Sequence, residues 1–115
     1  MPEEAEVRTI IEVDDTVTPI KLRMFIHDAP HRRQHHAVLA EYRKELWAAW
    51  KAAGHVETLD RPVDLKITFI NPASPDIDNL IVSTFQALDG KTGKGPTILK
   101  DDALISYVGA GLLRS

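Results

Sequence analysis

Apolar and polar residues alternate along two segments near the beginning of the chain. The first segment covers residues 7–13, the second covers residues 19–26, and Asp14 and Asp15 lie between them. Alternation is typical of a strand with one buried face, and neighbouring aspartates favour a turn. The pattern therefore predicts a β-hairpin.

The apolar period changes after Pro30. From about His31 to Ala53, apolar residues recur every three or four positions, as expected for a helix with one buried face; they include Val38, Leu39, Tyr42, Leu46, Trp47 and Trp50. Gly54 follows and favours the left-handed conformation that ends a helix. This segment is predicted to form one long amphipathic helix. Its aromatic residues have the spacing of a core or dimer interface, and stacking on unpaired bases is the alternative role for Tyr42, Trp47 and Trp50.

A strictly alternating segment at residues 62–70 predicts a strand whose buried face carries Val63, Leu65, Ile67 and Phe69. Residues 71–75 contain two prolines and interrupt the strand. A second helix is predicted to begin at Asp76 or Asp78 and to end at Leu88, just before Gly90. Its inward side chains are predicted to be Leu80, Ile81, Thr84, Phe85 and Leu88.

Two short elements are predicted after this helix, at residues 97–99 and 103–108, on either side of the acidic corner Lys100-Asp101-Asp102. The order strand, helix, strand, helix, strand predicts an α+β fold, a mixed α/β layer in which two helices cover a small sheet. A chain of 115 residues buries enough surface for one core without cross-links. We therefore expect a single domain, residues 1–115.

The amino-acid composition excludes several kinds of site and location. The chain has no cysteine, which excludes disulfide bonds, thiolate zinc sites and thiol nucleophiles. Residues 1–20 hold six acidic residues and one basic residue, the opposite of a secretory signal peptide. No apolar run approaches the roughly 20 residues that span a bilayer. The segment Gly90-Lys91-Thr92 lacks the earlier glycine of a phosphate-binding loop. These features predict a cytoplasmic protein with no membrane partner and no nucleotide cofactor.

Charge is distributed unevenly along the chain. The net charge is −3, yet residues 21–55 carry seven basic and three acidic residues and contain all five histidines. Such a block can bind an anionic polymer, because the local field rather than the net charge sets these contacts. A solvated helix face is the plainer interpretation of the same block.

Aspartates recur in the second half of the chain, first around Asp76 and Asp78 and again at Asp101 and Asp102. Mg²⁺ is usually held by one or two carboxylates together with phosphate oxygens of a substrate. We expect Asp76, Asp78 and Asp102 to converge on a metal that engages a phosphodiester. Taken singly, each aspartate is better explained as a helix cap or a turn residue.

Three stretches together resemble the RusA family of Holliday junction resolvases: Ser74-Pro75-Asp76-Ile77-Asp78-Asn79-Leu80-Ile81, Phe85-Gln86-Ala87-Leu88-Asp89-Gly90 and Leu99-Lys100-Asp101-Asp102-Ala103-Leu104-Ile105. The resemblance covers about residues 63–108, with the order and spacing of the family's motifs. It implies a homodimeric, Mg²⁺-dependent endodeoxyribonuclease, with Mn²⁺ as a substitute, that cuts four-way DNA junctions in recombination and repair. The implied setting is a bacterial or phage-infected cell.

The resemblance also implies roles for particular residues. By position, Asp76, Asp78 and Asp102 match the family's catalytic, metal-binding carboxylates. Binding of DNA by such a protein depends on cations that contact phosphates. The candidates are Arg32, Arg33, Lys91 and Lys94, and a solvated surface charge explains each of them about equally well.

The sequence departs from the family at two points. Val82 occupies the position of the family's catalytic lysine, and Lys100 is the nearest alternative cation in the sequence. Loss of that charge beside the scissile phosphate predicts reduced turnover with metal and DNA binding retained. Residues 109–113 are Gly-Ala-Gly-Leu-Leu, where the family continues into a further strand. The sheet is therefore expected to lack a strand, or to have that edge completed by a partner chain.

Three hypotheses remain open at this point. The first is an active junction-resolving endonuclease, and the second is a RusA-like DNA-binding or assembly module with a weakened site. The third is an oligomeric scaffold whose aspartates only cap helices and form turns.

Overall fold

The described part of the chain contains four strands and two α-helices. The computed structural model describes residues 8–30, 36–91 and 95–114, with the backbone alone at residue 36. In chain order the elements are β1 (Thr9–Asp14), β2 (Ile20–His27), α1 (His36–Ala52), β3 (Val63–Ile70), α2 (Ile77–Leu88) and β4 (Ile105–Leu113). A short 3₁₀ helix, Asp102–Leu104, comes directly before β4. Neither of the two α-helices described here is long and apolar enough to cross a membrane.

The strands form one mixed sheet in the order β1-β2-β3-β4. β1 and β2 are antiparallel, which confirms the predicted hairpin. β2 and β3 are parallel, and so are β3 and β4. Parallel neighbours need crossover connections, and α1 and α2 supply them. Each helix therefore runs back along the sheet in the direction opposite to the strands that it connects.

One face of the sheet is buried beneath the helices and the other is open. On β3, Val63, Leu65, Ile67 and Phe69 are each at most 2% exposed, as the alternating pattern predicted. Lys66 points the other way and is exposed. The core between sheet and helices confirms the predicted α+β fold of a small sheet covered by two helices.

Helix α1 ends at the glycine that the sequence indicated. Gly54 has a φ of +96°. Its N–H donates to the Lys51 carbonyl (2.9 Å), and the His55 N–H donates to the Trp50 carbonyl (3.2 Å). This pair of bonds satisfies carbonyls that the helix would otherwise leave free. The predicted first part of the helix, residues 31–35, lies outside the described residues.

The segment between α2 and β4 differs from its prediction. Residues 97–99 are buried, but they are not a strand. Backbone bonds attach them, among them those from Leu99 N–H to the Leu88 carbonyl (3.1 Å) and from Leu59 N–H to the Ile98 carbonyl (2.8 Å). These partners are distant in sequence, so local periodicity does not report them.

The last strand is longer than the predicted element at residues 103–108. β4 continues through the Gly-Ala-Gly segment to Leu113, which pairs with Ile70 at the end of β3. Residues 109–113 therefore belong to the sheet, and completion of its edge by a partner chain stays a prediction. Pairing along the full length of β3 supplies hydrogen bonds that hold weak strand formers such as glycine in the sheet.

Candidate functional site

The first two predicted site residues lie at the amino end of α2. Asp76 is the N-cap, where its Oδ1 accepts the Asn79 N–H (3.4 Å) and its Oδ2 accepts the Asn79 side-chain amide (2.7 Å). Ser74 Oγ accepts the Asp76 N–H (3.1 Å). Aspartate suits this position because its carboxylate accepts N–H groups that the first helical turn leaves free. Asp76 therefore has a structural role, while Asp78 is exposed in the first turn.

Asp102 lies at the opposite end of α2. Asp76 and Asp78 follow the carboxyl end of β3, whereas Asp102 precedes the amino end of β4, and β3 and β4 are parallel. Helix α2 has 12 residues and spans the distance between the two places, about 18 Å at 1.5 Å per residue. The expectation that Asp102 converges on Asp76 and Asp78 is therefore wrong within one chain.

The structure instead groups Asp102 with two other carboxylates. Asp89, Asp101 and Asp102 each offer an oxygen, and these oxygens lie within 4.8 Å of one another. We call this set the acidic cluster. It forms because Gly90 N–H donates to the Leu99 carbonyl (2.9 Å), which fixes the end of α2 beside the corner that carries Asp101 and Asp102. A Cβ at Gly90 would lie 2.6 Å from Thr97 Oγ1, so this close approach needs glycine.

The acidic cluster is electrostatically uneven. The pKa of Asp102 is raised above its ordinary value, first by burial and then by the negative charge of Asp89. The pKa of Asp101 is lowered, mainly because its carboxylate accepts the Ala103 N–H (2.9 Å) and also because Lys91 is close. A bound cation would relieve the repulsion that raises the pKa of Asp102.

Lys91 is the cation beside the acidic cluster. Its Nζ lies 3.4 Å from Asp101 Oδ1, and this charge is the largest cause of the raised pKa of Lys91. Lys100, which sequence proximity favoured, has its Nζ 3.4 Å from Asp60 Oδ2 instead. Of the predicted DNA-contacting residues, Lys91 is exposed, whereas Arg32, Arg33 and Lys94 lie outside the described residues.

Val82 lies on the outer side of α2. It is 36% exposed, and it is flanked at intervals of four residues by the exposed side chains of Asp78 and Gln86. A lysine at this position would reach solvent without disturbing the core. The position is thus accessible to a substrate or a partner, although the residue that occupies it carries no charge.

The donor atoms of the acidic cluster suit a hard divalent cation. All three ligands are carboxylates, which Mg²⁺ and Mn²⁺ prefer. Around an octahedral Mg²⁺, with oxygens at about 2.1 Å, adjacent ligand oxygens are about 3 Å apart and opposite ones about 4.2 Å apart. The three carboxylates would therefore have to move closer together to bind one ion directly, or bind it partly through water.

Sequence reasoning gave no role to Asp89. In the sequence, Asp89 is only the residue between the predicted end of the helix at Leu88 and Gly90. Asp89 is in fact the C-cap of α2 and is only 5% exposed, and its Oδ1 accepts the Lys91 N–H (2.9 Å). A carboxylate at the negative end of a helix dipole is unfavourable. That mismatch was the available signal that another group stabilises Asp89.

Comparisons of the chain with models of protein families, with curated proteins and with solved structures found no match.

Proposed function

We propose that this protein is a RusA-like, Mg²⁺-dependent endodeoxyribonuclease that acts as a homodimer on four-way DNA junctions. The observation that supports this function most directly is the acidic cluster beside Lys91, where three carboxylate ligands and one cation lie together. The resemblance of residues 63–108 to the resolvase family supplies the choice of DNA as substrate. Mn²⁺ would substitute because it takes the same oxygen ligands.

Hydrolysis of a phosphodiester requires a water nucleophile and neutralisation of the charge that develops on the phosphate. A bound Mg²⁺ would lower the pKa of a coordinated water and stabilise the leaving oxygen. Asp101 and Asp102 are partly exposed and would offer their oxygens to the ion from the protein surface. Asp89 is buried and would offer its oxygen from the protein interior. The Lys91 ammonium offsets negative charge on the scissile phosphate.

A second copy of the chain would bring the two groups of aspartates together. Helix α2 packs close to β4, at one edge of the sheet. Within the described residues, no strand pairs with the outer edge of β4. Residues 105–113 include no charged residue and no proline, the usual means of protecting a free edge. Antiparallel pairing of two β4 strands about a two-fold axis would place the two α2 helices side by side, running in opposite directions.

In such a dimer, the amino end of each α2 faces the carboxyl end of its partner. Asp76 and Asp78 of one chain would then approach the acidic cluster of the other. The two composite sites are related by symmetry, as two symmetric cuts require.

Cleavage of a labelled four-way junction in Mg²⁺, with linear duplex as the control substrate, tests the function. We expect the wild type to nick two opposite strands of the junction and to leave the duplex intact. Asp78→Asn and Asp102→Asn should each abolish nicking, whereas Asp15→Asn, in the exposed hairpin loop, should not. Failure of the wild type to cut or to bind the junction would contradict the function.

Mixing the two inactive variants tests the composite site. If each site uses Asp78 of one chain and Asp102 of the other, a heterodimer of Asp78→Asn and Asp102→Asn contains one intact site. It should nick a single strand of the junction. If every site lies within one chain, each site keeps one defect and mixing restores nothing.

The second candidate function is a RusA-like module that binds DNA but cuts it poorly, and Val82 favours it. Because Val82 is exposed, Val82→Lys should fold normally. Binding without cutting by the wild type, together with cutting by Val82→Lys, would establish this candidate. Equal cutting by both proteins would show that Lys91 or another cation serves instead.

A further inference from the structure

A groove of about 340 Å³ lies between α1 and the segment that precedes residues 97–99. One wall is the outer side of α1, where Trp47 lies among Arg43, Lys44 and Lys51, and the other wall includes Gly95 and Pro96. No acidic residue lines this groove within the described part of the chain. We call it the Trp47 groove.

Arg43 lines the Trp47 groove and is anchored to α2. A terminal nitrogen of its guanidinium donates to the Gln86 carbonyl (3.1 Å), which fixes the side chain against α2. Its Nε is buried and has no hydrogen-bond partner among the described residues. A phosphate in the groove would be attracted by the charge of this guanidinium, which the contact with Gln86 holds in place.

The two tryptophans of α1 have different surroundings. Trp50 is fully buried, its ring stacks on His55 with 4.3 Å between centroids, and its Nε1 donates to the Glu57 carbonyl (2.8 Å). Trp47 is only half-buried, and it lines the groove. Packing of the core therefore explains Trp50 completely, whereas it explains only part of Trp47.

We propose that the Trp47 groove binds an unpaired nucleotide of a DNA strand, with the base stacked on Trp47 and the neighbouring phosphates held by Arg43, Lys44 and Lys51. Aromatic side chains among cations are the usual means of holding single strands. The volume lies in the range of small-molecule sites and suits one nucleotide. A branched junction supplies unpaired bases at its branch point, so the choice of DNA rests on the proposed function.

The Trp47 groove is close to the acidic cluster. Gly95 is four residues from Lys91, so their Cα atoms are at most about 14 Å apart. One DNA strand of a few nucleotides spans that distance. A strand held in the groove would thus be positioned beside the acidic cluster.

Titration with a short oligothymidylate, followed by tryptophan fluorescence, tests the inference. Quenching is expected in the wild type because Trp47 stacks on a base. It should disappear in Trp47→Phe, because Trp50 is buried away from the ligand. Trp47→Ala should weaken binding roughly tenfold or more, and Trp47→Phe by less.

Variants of the lysines test the phosphate contacts. Lys44→Ala and Lys51→Ala should each reduce the slope of log affinity against log salt by about 0.7. Lys66→Ala is the matched control, because Lys66 is exposed on the opposite side of the sheet; its slope should equal that of the wild type.

Two results would overturn the inference: unchanged affinity in Trp47→Ala, or equally tight binding of blunt duplex DNA with no quenching. The test is independent of catalysis, since Asp78→Asn should bind the oligothymidylate like the wild type. Quenching by a protein that never cuts a junction would support the groove and contradict the nuclease function. If the wild type cuts the junction and Trp47→Ala binds the oligothymidylate normally, the nuclease function would be supported and the groove contradicted.

Discussion

Aspartate has three different roles in this chain, and the neighbours of each carboxylate decide which. Asp76 accepts N–H groups at the beginning of α2. Asp89 is buried at the end of the same helix. Asp102 is partly buried beside other carboxylates, and it is the one whose pKa is raised. Because a raised pKa in a carboxyl group reflects a poorly solvated or repelled charge, Asp102 gains most from a bound cation.

The raised pKa of Asp102 makes stability depend on pH. The folded protein holds this proton more tightly than the unfolded chain does, so the free energy of unfolding falls as pH rises from the ordinary pKa of 3.8 through the raised folded value. We expect Asp102→Asn to lack this fall, while Asp15→Asn keeps it. Urea denaturation across that pH range measures the difference. A wild-type pH profile in Asp102→Asn would contradict the assignment.

Lys91 and Lys100 offer a matched pair of substitutions. Lys91 contacts the acidic cluster, whereas Lys100 contacts Asp60 on another side of the corner. If Lys91 stabilises the transition state, Lys91→Ala should reduce junction cleavage by roughly 10²-fold. Lys100→Ala should cut at nearly the wild-type rate. Single-turnover cleavage measures both variants. A larger loss of rate in Lys100→Ala than in Lys91→Ala would assign the stabilising role to Lys100.

At the scale of elements, a buried hydrogen bond joins the two helices. Tyr42 Oη on α1 lies 2.6 Å from Thr84 Oγ1 on α2, and Thr84 Oγ1 also donates to the Leu80 carbonyl (2.8 Å). A hydroxyl has one proton, so Tyr42 must be the donor to Thr84. Burial raises the pKa of Tyr42, which keeps that proton in place.

This geometry predicts an asymmetry between two substitutions. Thr84→Val leaves the buried Tyr42 hydroxyl without its acceptor and should lower the free energy of unfolding by about 1–3 kcal/mol. Tyr42→Phe removes the donor but leaves the bond from Thr84 to Leu80, and should cost about 1 kcal/mol. Chemical denaturation measures both values. A larger loss in Tyr42→Phe would contradict the assigned direction of the bond.

At the scale of the whole molecule, the outer edge of β4 has no pairing strand among the described residues. Tyr107, Leu112 and Leu113 are exposed large side chains on this strand. Strand pairing with a second copy would extend the sheet and place the same side chains of the partner strand next to them. If the proposed function holds, the composite site and the symmetry of the two cuts both depend on this edge.

A charge on this edge tests the dimer. A Cβ at Gly111 meets no atom within 4 Å, so Gly111→Glu fits the folded chain. Each glutamate would place a charge against the uncharged partner strand, and we expect sedimentation to detect monomers and junction cleavage to be lost. Lys66→Glu, on an interior strand of the same face, is the control and should remain dimeric. A dimeric Gly111→Glu would place the interface elsewhere.

Local periodicity made much of the fold predictable. The hairpin, the buried face of β3 and the end of α1 at Gly54 each depend on neighbours a few residues apart, and each was confirmed. Residues 97–99 and the extent of β4 were not predictable in this way. Their conformations depend on hydrogen bonds to Leu59, Leu88 and β3, which are remote in the sequence.

The candidate site likewise has features that were predictable from local sequence and features that were not. The sequence by itself showed that carboxylates lie at the beginning of α2 and after its end, because these are visible as residue types and spacings, but it gave no role to Asp89. Only the tertiary structure decided which of these carboxylates lie close together, because parallel pairing of β3 with β4 places Asp76 and Asp102 at opposite ends of α2. The same pairing brings Asp89 and Lys91 to Asp101 and Asp102, since contacts between remote segments follow from the topology of the sheet and not from local sequence.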